Sequence, residues 1–385
     1  MVEKPWEDWI PGVLSDGQLR ELCNGGHISD VSGPLKLDPF SIDLHLSDEA
    51  YYLTNGSVKP FGQGRYLHKI KDQLLASQMP KEGNGIYRLE AKKTYLFRLK
   101  ERLRGFKDAS IYGQATAKSS IGRLDVLARL IVDGMDCYEF FDPPGLSNGE
   151  GDLYLEVTPI TFPIIVKEGI SLSQLRLFYG NPHDAEMRGQ ELFQSLLFRE
   201  DKEKVDGTLS LELSDAEPIV GVECCAFFAL SKENHEPIDL SITNETEKPD
   251  PTKYWKLKEC GPNNRLQIEK NAFYILRSKE RIALPGGIAV YCRASDETIG
   301  EMRIHYAGFV HPWFGKNRKD RKKGTPLIFE VRGHDVHVNL GDGEKMARLI
   351  FYRMSEDSHE PEDKTYNDQT LELSKFFKKW PGRDK

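Results

Sequence analysis

An internal repeat constrains the fold of this chain more than any other feature of its sequence. Residues 153–178, LYLEVTPITFPIIVKEGISLSQLRLF, align with residues 327–352, LIFEVRGHDVHVNLGDGEKMARLIFY. Each segment has a glutamate inside a predicted strand (Glu156 or Glu330), a glycine thirteen residues later, and a leucine six residues after that glycine. Self-similarity of this kind predicts two copies of one structural unit in the chain.

Both copies have the pattern of β-structure. Short apolar or alternating runs such as SIDLHL, GIAVY and RLIFY are separated by Gly, Pro, Asn and Asp, which predicts many short strands in a barrel or sandwich. Only two helices are predicted: one after Ser15, ended by Gly25 and Gly26, and one over residues 185–198. The expected fold is mainly β, with tandem duplicated distorted β-barrel or jelly-roll domains at residues 1–180 and 216–385, and a connector at 181–215.

Composition excludes several classes of protein. The chain has 385 residues and a net charge of −7, so we expect neither a nucleic-acid-coating polycation nor a nucleic-acid partner. No apolar run approaches the length of about 20 residues that spans a membrane, and the first residues lack a signal-peptide pattern. Six scattered cysteines in a chain of this size are typical of reduced thiols in a cytoplasmic protein.

The glutamates of the repeat are candidate catalytic groups. Glu330 lies in LIFEV and Glu156 in LYLEV, so each carboxylate is predicted to lie on an apolar strand. Burial raises the pKa of a carboxyl group, and a general acid or base that works near neutral pH requires this. The alternative is that each glutamate is a strand-end residue on a solvated face. Recurrence in both copies favours a function.

Two other segments could bind phosphate. AKSSIGR (117–123) places two hydroxyls between a lysine and an arginine, a set that can hold phosphate oxygens, although such a motif is often an ordinary surface loop. KNRKDRKK (316–323) is typical of a solvated hairpin tip, and a phosphate or nucleic-acid contact is the alternative. The sequence has no GxxxxGK[ST] phosphate loop, no GxGxxG fingerprint at a helix start, and no zinc-deaminase signature.

Five segments together resemble the dCTP deaminase family of the dUTPase-like superfamily, in its long, internally duplicated bacterial form. They are, in the order of that family, LSDGQLREL (14–22), DPFSIDLHL (38–46), KSSIGR (118–123), YAGFVHPWFG (306–315) and LIFEV (327–331). The tail TYNDQTLELSKFFKKW (365–380) resembles the segment that covers the nucleotide in that family. The resemblance implies dUTPase-like β domains.

The resemblance also implies hydrolytic deamination of dCTP to dUTP and ammonia, without zinc, and with Mg²⁺ accompanying the triphosphate. A homo-oligomer with the active site shared between subunits or halves is expected. The alternatives are a dUTP diphosphatase, an enzyme that performs both reactions, and a catalytically silent nucleotide-binding regulator. The family pattern carries over to a catalytic set of Glu330, Arg123 and, as the fallback base, Glu156, and to a substrate-binding set of Lys118, Ser119, Ser120, Ala307, Gly308, His311, Tyr366 and Gln369.

The sequence departs from the family pattern at two places. His311 stands where the family hairpin usually has an aspartate that contacts the sugar. Residues 293–303, RASDETIGEMR, have lost the serine pair and the arginine that the first copy keeps. These complementary losses predict one composite site, with the KSSIGR motif from one half and Glu330 from the other.

Overall fold

The protein is described by a computed structural model of the 385-residue chain. The structure describes residues 4–29, 37–81, 83, 85–107, 109–214, 217–219, 221–230, 235–294, 302–305, 308–316, 324–361 and 370–382.

The helices are short and the strands are many. The α-helices are α1 (Asp16–Asn24), α2 (Tyr66–Asp72), α3 (Ser119–Gly122) and α4 (Gln190–Leu196), and four 3₁₀ turns lie at Pro5–Asp8, Pro143–Gly145, Pro182–Ala185 and Pro251–Lys253. The strands of the first half are β1 (Gly12–Val13), β2 (Ile28–Ser29), β3 (Leu37–Asp38), β4 (Ser41–Leu53), β5 (Ala76–Gln78), β6 (Ile86–Leu89), β7 (Tyr95–Leu103), β8 (Ile111–Ala117), β9 (Val126–Val132), β10 (Phe140–Phe141), β11 (Gly151–Pro159), β12 (Ile164–Lys167) and β13 (Ser171–Tyr179). The remaining strands are β14 (Glu186–Met187), β15 (Leu197–Phe198), β16 (Thr208–Ser210), β17 (Glu217–Ile219), β18 (Val222–Ala229), β19 (Ile238–Asp239), β20 (Trp255–Glu259), β21 (Arg265–Ile268), β22 (Phe273–Ile282), β23 (Ile288–Ala294), β24 (Met302–His305), β25 (Phe309–Val310), β26 (Thr325–Gly333), β27 (Val338–Gly341) and β28 (Lys345–Arg353).

The pairing of the strands repeats in the two halves. In the first half, β10-β8-β13-β4-β7-β11-β9 follow one another in an 11-stranded, nearly closed sheet. In the second half, β25-β23-β28 and β22-β26-β24 keep the corresponding order, in a 5-stranded and a 7-stranded sheet. Glu156 lies on β11 and Glu330 on β26, the middle strand of the equivalent triplet in each half. The predicted mainly β fold with duplicated barrel-like units is confirmed.

The segment predicted as a connector, 181–215, contributes strands to the second half. Both β14 and β16 pair with β28, and β15 pairs with β22. These three short strands extend the edges of the second-half sheets, and the chain therefore enters that half as soon as it leaves β13.

One predicted helix is confirmed and the other is partly wrong. Helix α1 begins after Ser15, whose hydroxyl accepts from the backbone N–H of Gln18 while the Gln18 side chain accepts from the backbone N–H of Ser15, a complete capping box. The helix predicted over 185–198 covers only Gln190–Leu196, because Gly189 has a φ of +139° and the ends of the segment pair as strands. In the described part of the chain, no helix is both long and apolar enough to cross a membrane.

The two halves pack closely against each other. The largest cluster of buried apolar side chains includes residues of both halves, among them Leu130 and Trp255. Strand β19 of the second half lies parallel to β12 of the first half, and residue Val13 of β1 forms a bridge with Met354. The seam between the halves is therefore a continuous part of the hydrophobic core, and a site on it is held from both sides.

Candidate active site

The KSSIGR motif forms a single helical turn at the seam between the halves. Helix α3 follows β8 directly, and the backbone N–H of Arg123 donates to the carbonyl of Ser119 at 3.1 Å to close the turn. Ile121 and Leu124 are fully buried, so their burial against the first-half core fixes the orientation of the turn. The remaining face of the turn points toward the second half.

Arg123 and Glu330 meet across the seam. The Nε atom of Arg123 lies 4.0 Å from Oε1 of Glu330, and the two side chains are only 4% and 7% exposed. Glu330 lies on the middle strand of β22-β26-β24, whereas Arg123 comes from the first half of the same chain. The structure thus brings together, within one chain, the two groups that the sequence assigned to different halves.

Gly122 allows the Glu330 carboxylate to approach the backbone of α3. A Cβ atom placed on Gly122 would lie 2.2 Å from Oε2 and 2.9 Å from Cδ of Glu330. Both distances are far inside van der Waals contact, so no other residue fits at this position without displacing the carboxylate. Gly122 is part of the quoted motif KSSIGR, but no local sequence pattern assigned it a role.

Burial makes Glu330 a carboxyl group that exchanges its proton close to neutral pH. Desolvation raises the pKa of Glu330 to about 8; the Arg123 guanidinium lowers it and the Asp125 carboxylate adds to the rise. General acid–base catalysis works best when the pKa of the group lies near the working pH. This is the electrostatic environment that the apolar strand pattern predicted.

A cavity of about 100 Å³ lies beside the Glu330 carboxylate. Ala117, Ser119 and Arg123 of the first half line one side of it. Second-half residues form the remaining walls: Cys292, Gly308, Phe309, Val310, His311, Phe314, Leu327, Ile328 and Glu330. Of the predicted substrate-binding residues, Ser119, Gly308 and His311 therefore face the same space as Glu330 and Arg123. The Nδ1 atom of His311 lies 2.6 Å from the carbonyl oxygen of Pro312.

The other residues of the motif have supporting contacts. Lys118 forms an ion pair with Asp43, which is 2% exposed on β4. Ser120 is buried, and its carbonyl oxygen accepts a hydrogen bond from the Ser374 hydroxyl at 2.6 Å. The sequence did not assign a role to Asp43, although it lies in the quoted segment DPFSIDLHL. An acidic residue between the apolar residues Ile42 and Leu44 was the signal.

The tail of the chain covers this turn from outside. The Arg123 guanidinium donates to the carbonyl oxygen of Glu372 at 3.4 Å, and Ser374 contacts Ser120 as described. Leu371 and Phe377 are 1% and 3% exposed and belong to the core cluster shared by the two halves. The tail is therefore anchored over the KSSIGR turn by buried apolar side chains on both sides of its polar contacts.

Glu156, the equivalent carboxylate of the first copy, has a different environment. It is 1% exposed and forms an ion pair with Arg129. Its other oxygen accepts from the backbone N–H of Val58 and from the Tyr138 hydroxyl, both at 3.2 Å. These donors occupy the carboxylate oxygens, and the cavity described above does not include Glu156. The two glutamates of the repeat therefore share a position in the fold but not a set of neighbours.

Several predicted residues lie outside the described part of the chain. They are Ala307, Tyr366 and Gln369 of the predicted substrate-binding set, together with 317–323 of the basic run. Within the described residues, no group of three or more His, Cys, Asp or Glu side chains is arranged to hold a metal ion.

Comparison with known proteins places the whole pocket within two matched regions. Residues 10–181 match the family model for the 2'-deoxycytidine 5'-triphosphate deaminase (DCD) N-terminal domain, and residues 183–377 match that for the C-terminal domain. A crystal structure of 2'-deoxycytidine 5'-triphosphate deaminase from Agrobacterium tumefaciens is 28% identical, with a TM-score of 0.78 over 90% of this chain and 96% of that chain. No curated protein sequence matches the chain. The Arg123–Glu330 contact joins the two matched regions, since Arg123 lies in the first and Glu330 in the second.

Proposed function

Since this chain belongs to the 2'-deoxycytidine 5'-triphosphate deaminase family and deaminates dCTP to dUTP, we propose that Glu330 is the general base and acid of the reaction. The observation that carries this assignment is the buried Glu330 carboxylate, 4.0 Å from Arg123 and beside a cavity lined by both halves. Glu156 does not line this cavity, and its carboxylate is held by three donors.

The proposed reaction consumes one water molecule for each dCTP. Glu330 takes a proton from the water as its oxygen bonds to C4 of the cytosine ring, and delivers this proton to N3 of the ring. Glu330 then takes the remaining proton from the C4 hydroxyl and gives it to the amino group; the C4–N bond breaks, and ammonia leaves as the C4 carbonyl of dUTP forms. A carboxyl group whose pKa is near 8 can act in both directions at neutral pH.

The remaining pocket residues bind and orient the substrate in this proposal. Arg123 and Ser119 contact the attacking water and the phosphates, because both line the cavity at the first-half side. Gly308 and His311 form the wall that receives the nucleoside. Roles for Lys118, Ser120, Ala307, Tyr366 and Gln369 in substrate binding remain predictions of the family pattern.

We propose that the substrate is the magnesium complex of dCTP. Mg²⁺ keeps several waters and binds to nucleotide phosphates, so it needs few ligands from the protein. We also propose a homo-oligomer in the cytoplasm, where the free thiols of all six cysteines would stay reduced.

The test of the proposal is Glu330→Gln, assayed with Mg²⁺ and dCTP by release of ammonia and chromatography of dCTP, dUTP and dUMP. Gln keeps the size of the side chain but cannot take a proton, so we expect deamination to fall by about 10²–10⁴-fold while dCTP still binds. Chromatography also reports any conversion of dUTP to dUMP. Near-normal turnover by this variant would exclude Glu330 as the base.

Glu156→Gln is the matched control. It makes the same chemical change on the equivalent strand of the first copy, and we expect it to retain deamination if it folds. Its melting temperature is measured beside that of Glu330→Gln, since the change breaks a buried ion pair with Arg129.

A further inference from the structure

A second ion pair crosses the seam beside the Arg123–Glu330 contact. Asp125 is fully buried, and its carboxylate accepts from the Arg332 guanidinium and from the Thr161 hydroxyl. Asp125 comes two residues after Arg123, and Arg332 comes two residues after Glu330 on β26. Residues i and i+2 of a strand share one face, so Glu330 and Arg332 both point toward the loop that carries Arg123 and Asp125.

The backbone conformation of Asp125 indicates that its side chain is present for a specific contact. Asp125 has a φ of +58°, in the left-handed region that glycine adopts most easily. Its N–H donates to the carbonyl of Gly122 at 2.8 Å, and its carbonyl accepts from Ile160 at 2.8 Å, so this conformation turns the chain from α3 into β9. Since glycine would make the turn with less strain, the structure holds an aspartate here for its contact with Arg332.

We infer that the Asp125–Arg332 ion pair is a positioning contact. It fixes the place of α3 along β26 and so places Arg123 and Gly122 against Glu330. This inference rests on the proposed role of Glu330. The charges alternate across the seam, with Arg123 facing Glu330 and Asp125 facing Arg332. A shift of two residues along β26 in either direction would oppose Arg123 to Arg332, or Asp125 to Glu330, and both pairs repel.

Arg332 is itself fixed on several sides. Its guanidinium donates to the Thr161 hydroxyl at 3.0 Å and to the carbonyl oxygen of Asn271 at 3.1 Å, in addition to Asp125. The side chain is 12% exposed. An arginine that is already held by two other contacts loses little further freedom when it binds the carboxylate, so the ion pair defines one geometry.

The charges around Glu330 give the inference a kinetic readout. Arg123 lowers the pKa of Glu330 and Asp125 raises it. The half-buried thiol of Cys292 on β23 and the imidazole of His311 line the same cavity. A general base must be deprotonated in the free enzyme, so kcat/KM rises with pH through the pKa of Glu330. Removing the charge of Asp125 moves this rise to lower pH.

The experiment compares Asp125→Asn and Asp125→Gly with the wild-type enzyme. Asn tolerates the left-handed backbone and keeps one acceptor but loses the charge, whereas Gly relieves the backbone and removes the side chain. We expect kcat to fall by about tenfold to 10²-fold in Asp125→Gly, with KM for dCTP changed much less, because the reacting groups are misplaced. In Asp125→Asn, the rise of kcat/KM shifts to lower pH.

Two further variants make the test specific. Asp206→Asn removes an exposed aspartate that pairs with Lys345 at 2.7 Å and should leave kcat and the pH profile unchanged. In a double-mutant cycle, Arg332→Gln added to Asp125→Asn should cost little more than either change alone. Wild-type kcat and pH profile in both Asp125 variants, with Glu330→Gln inactive, would overturn the positioning role alone. An active Glu330→Gln would overturn the proposed base and, with it, this inference.

Discussion

At the scale of single residues, Gly122 is a position where the Glu330 carboxylate leaves no room for a side chain. Gly122→Ala places a methyl group 2.2 Å from Oε2 of Glu330, so the carboxylate or the α3 turn must move. The φ of Gly122 does not lie in the left-handed region, and alanine is therefore compatible with the backbone itself. We expect deamination to fall by about 10²-fold, the cost of displacing a reacting group by about 1 Å, measured as kcat for dCTP.

Gly83→Ala is the control for this change. Gly83 lies on a loop where an added Cβ atom meets nothing within 4 Å, and its φ is +40°. Gly83→Ala therefore introduces backbone strain without a contact near Glu330, and we expect it to keep its activity. An active Gly122→Ala enzyme would show that Glu330 has room to move and that the close approach has no role in catalysis.

The candidate site could be predicted from the sequence only in part, for a physical reason. The types and order of residues in KSSIGR and LIFEV pointed to Arg123 and Glu330, and an apolar strand was enough to predict a raised pKa for the glutamate. The contacts of Gly122 and Asp125 depend on how the two halves pack, and no local pattern encodes packing between segments some 200 residues apart.

At the scale of elements, Phe377 is one of the buried side chains that hold the tail at residues 370–382 over α3. Its ring is 3% exposed and lies 5.2 Å from the ring of Tyr254. Truncation of a buried phenylalanine costs about 3–5 kcal/mol, and a terminal segment can detach without unfolding the rest of the protein. We therefore expect Phe377→Ala to raise KM for dCTP by about tenfold or more, since Tyr366 and Gln369 lie just before this anchor.

Lys379→Ala is the matched control within the same tail. The side chain of Lys379 is exposed, while its backbone N–H donates to Glu245 and is unchanged by the substitution. Both variants are compared by steady-state kinetics and by limited proteolysis of the tail. An unaltered KM in Phe377→Ala would contradict a role of the tail in holding the nucleotide.

The elements themselves were predictable to different degrees. Strands and the capped helix α1 follow local patterns, such as the alternation of apolar residues or the Ser15–Gln18 capping box. The helix predicted over 185–198 was too long because its apolar residues fit a helical period while Gly189 interrupts it and the flanking residues find strand partners at β22 and β28. Tertiary pairing overrode the local preference there.

At the scale of the whole molecule, the duplication has produced two unequal copies. Arg176, fully buried on β13, donates to Gln114 of the first half at 2.6 Å and lies 4.1 Å from the ring centre of Phe309, next to pocket residue Gly308. A buried arginine that contacts both halves favours one relative placement of the halves, which apolar contacts alone define less strictly. The first half thus supports the pocket wall and supplies Arg123, while the second half supplies Glu330.

The last prediction follows from the location of both groups on one chain. Arg123→Ala and Glu330→Gln should each be inactive, and co-expression of the two, with a different tag on each, should restore nothing in the doubly purified protein. Every pocket built within a chain then carries one lesion, whatever the number of subunits. The wild-type chain co-expressed with Glu330→Gln is the positive control, and its activity should follow the share of wild-type chains. Recovery of activity in the Arg123→Ala and Glu330→Gln mixture would mean that α3 and β26 of different chains form the pocket. Calorimetric titration of Glu330→Gln with dCTP gives an independent measure, and we expect one nucleotide per chain.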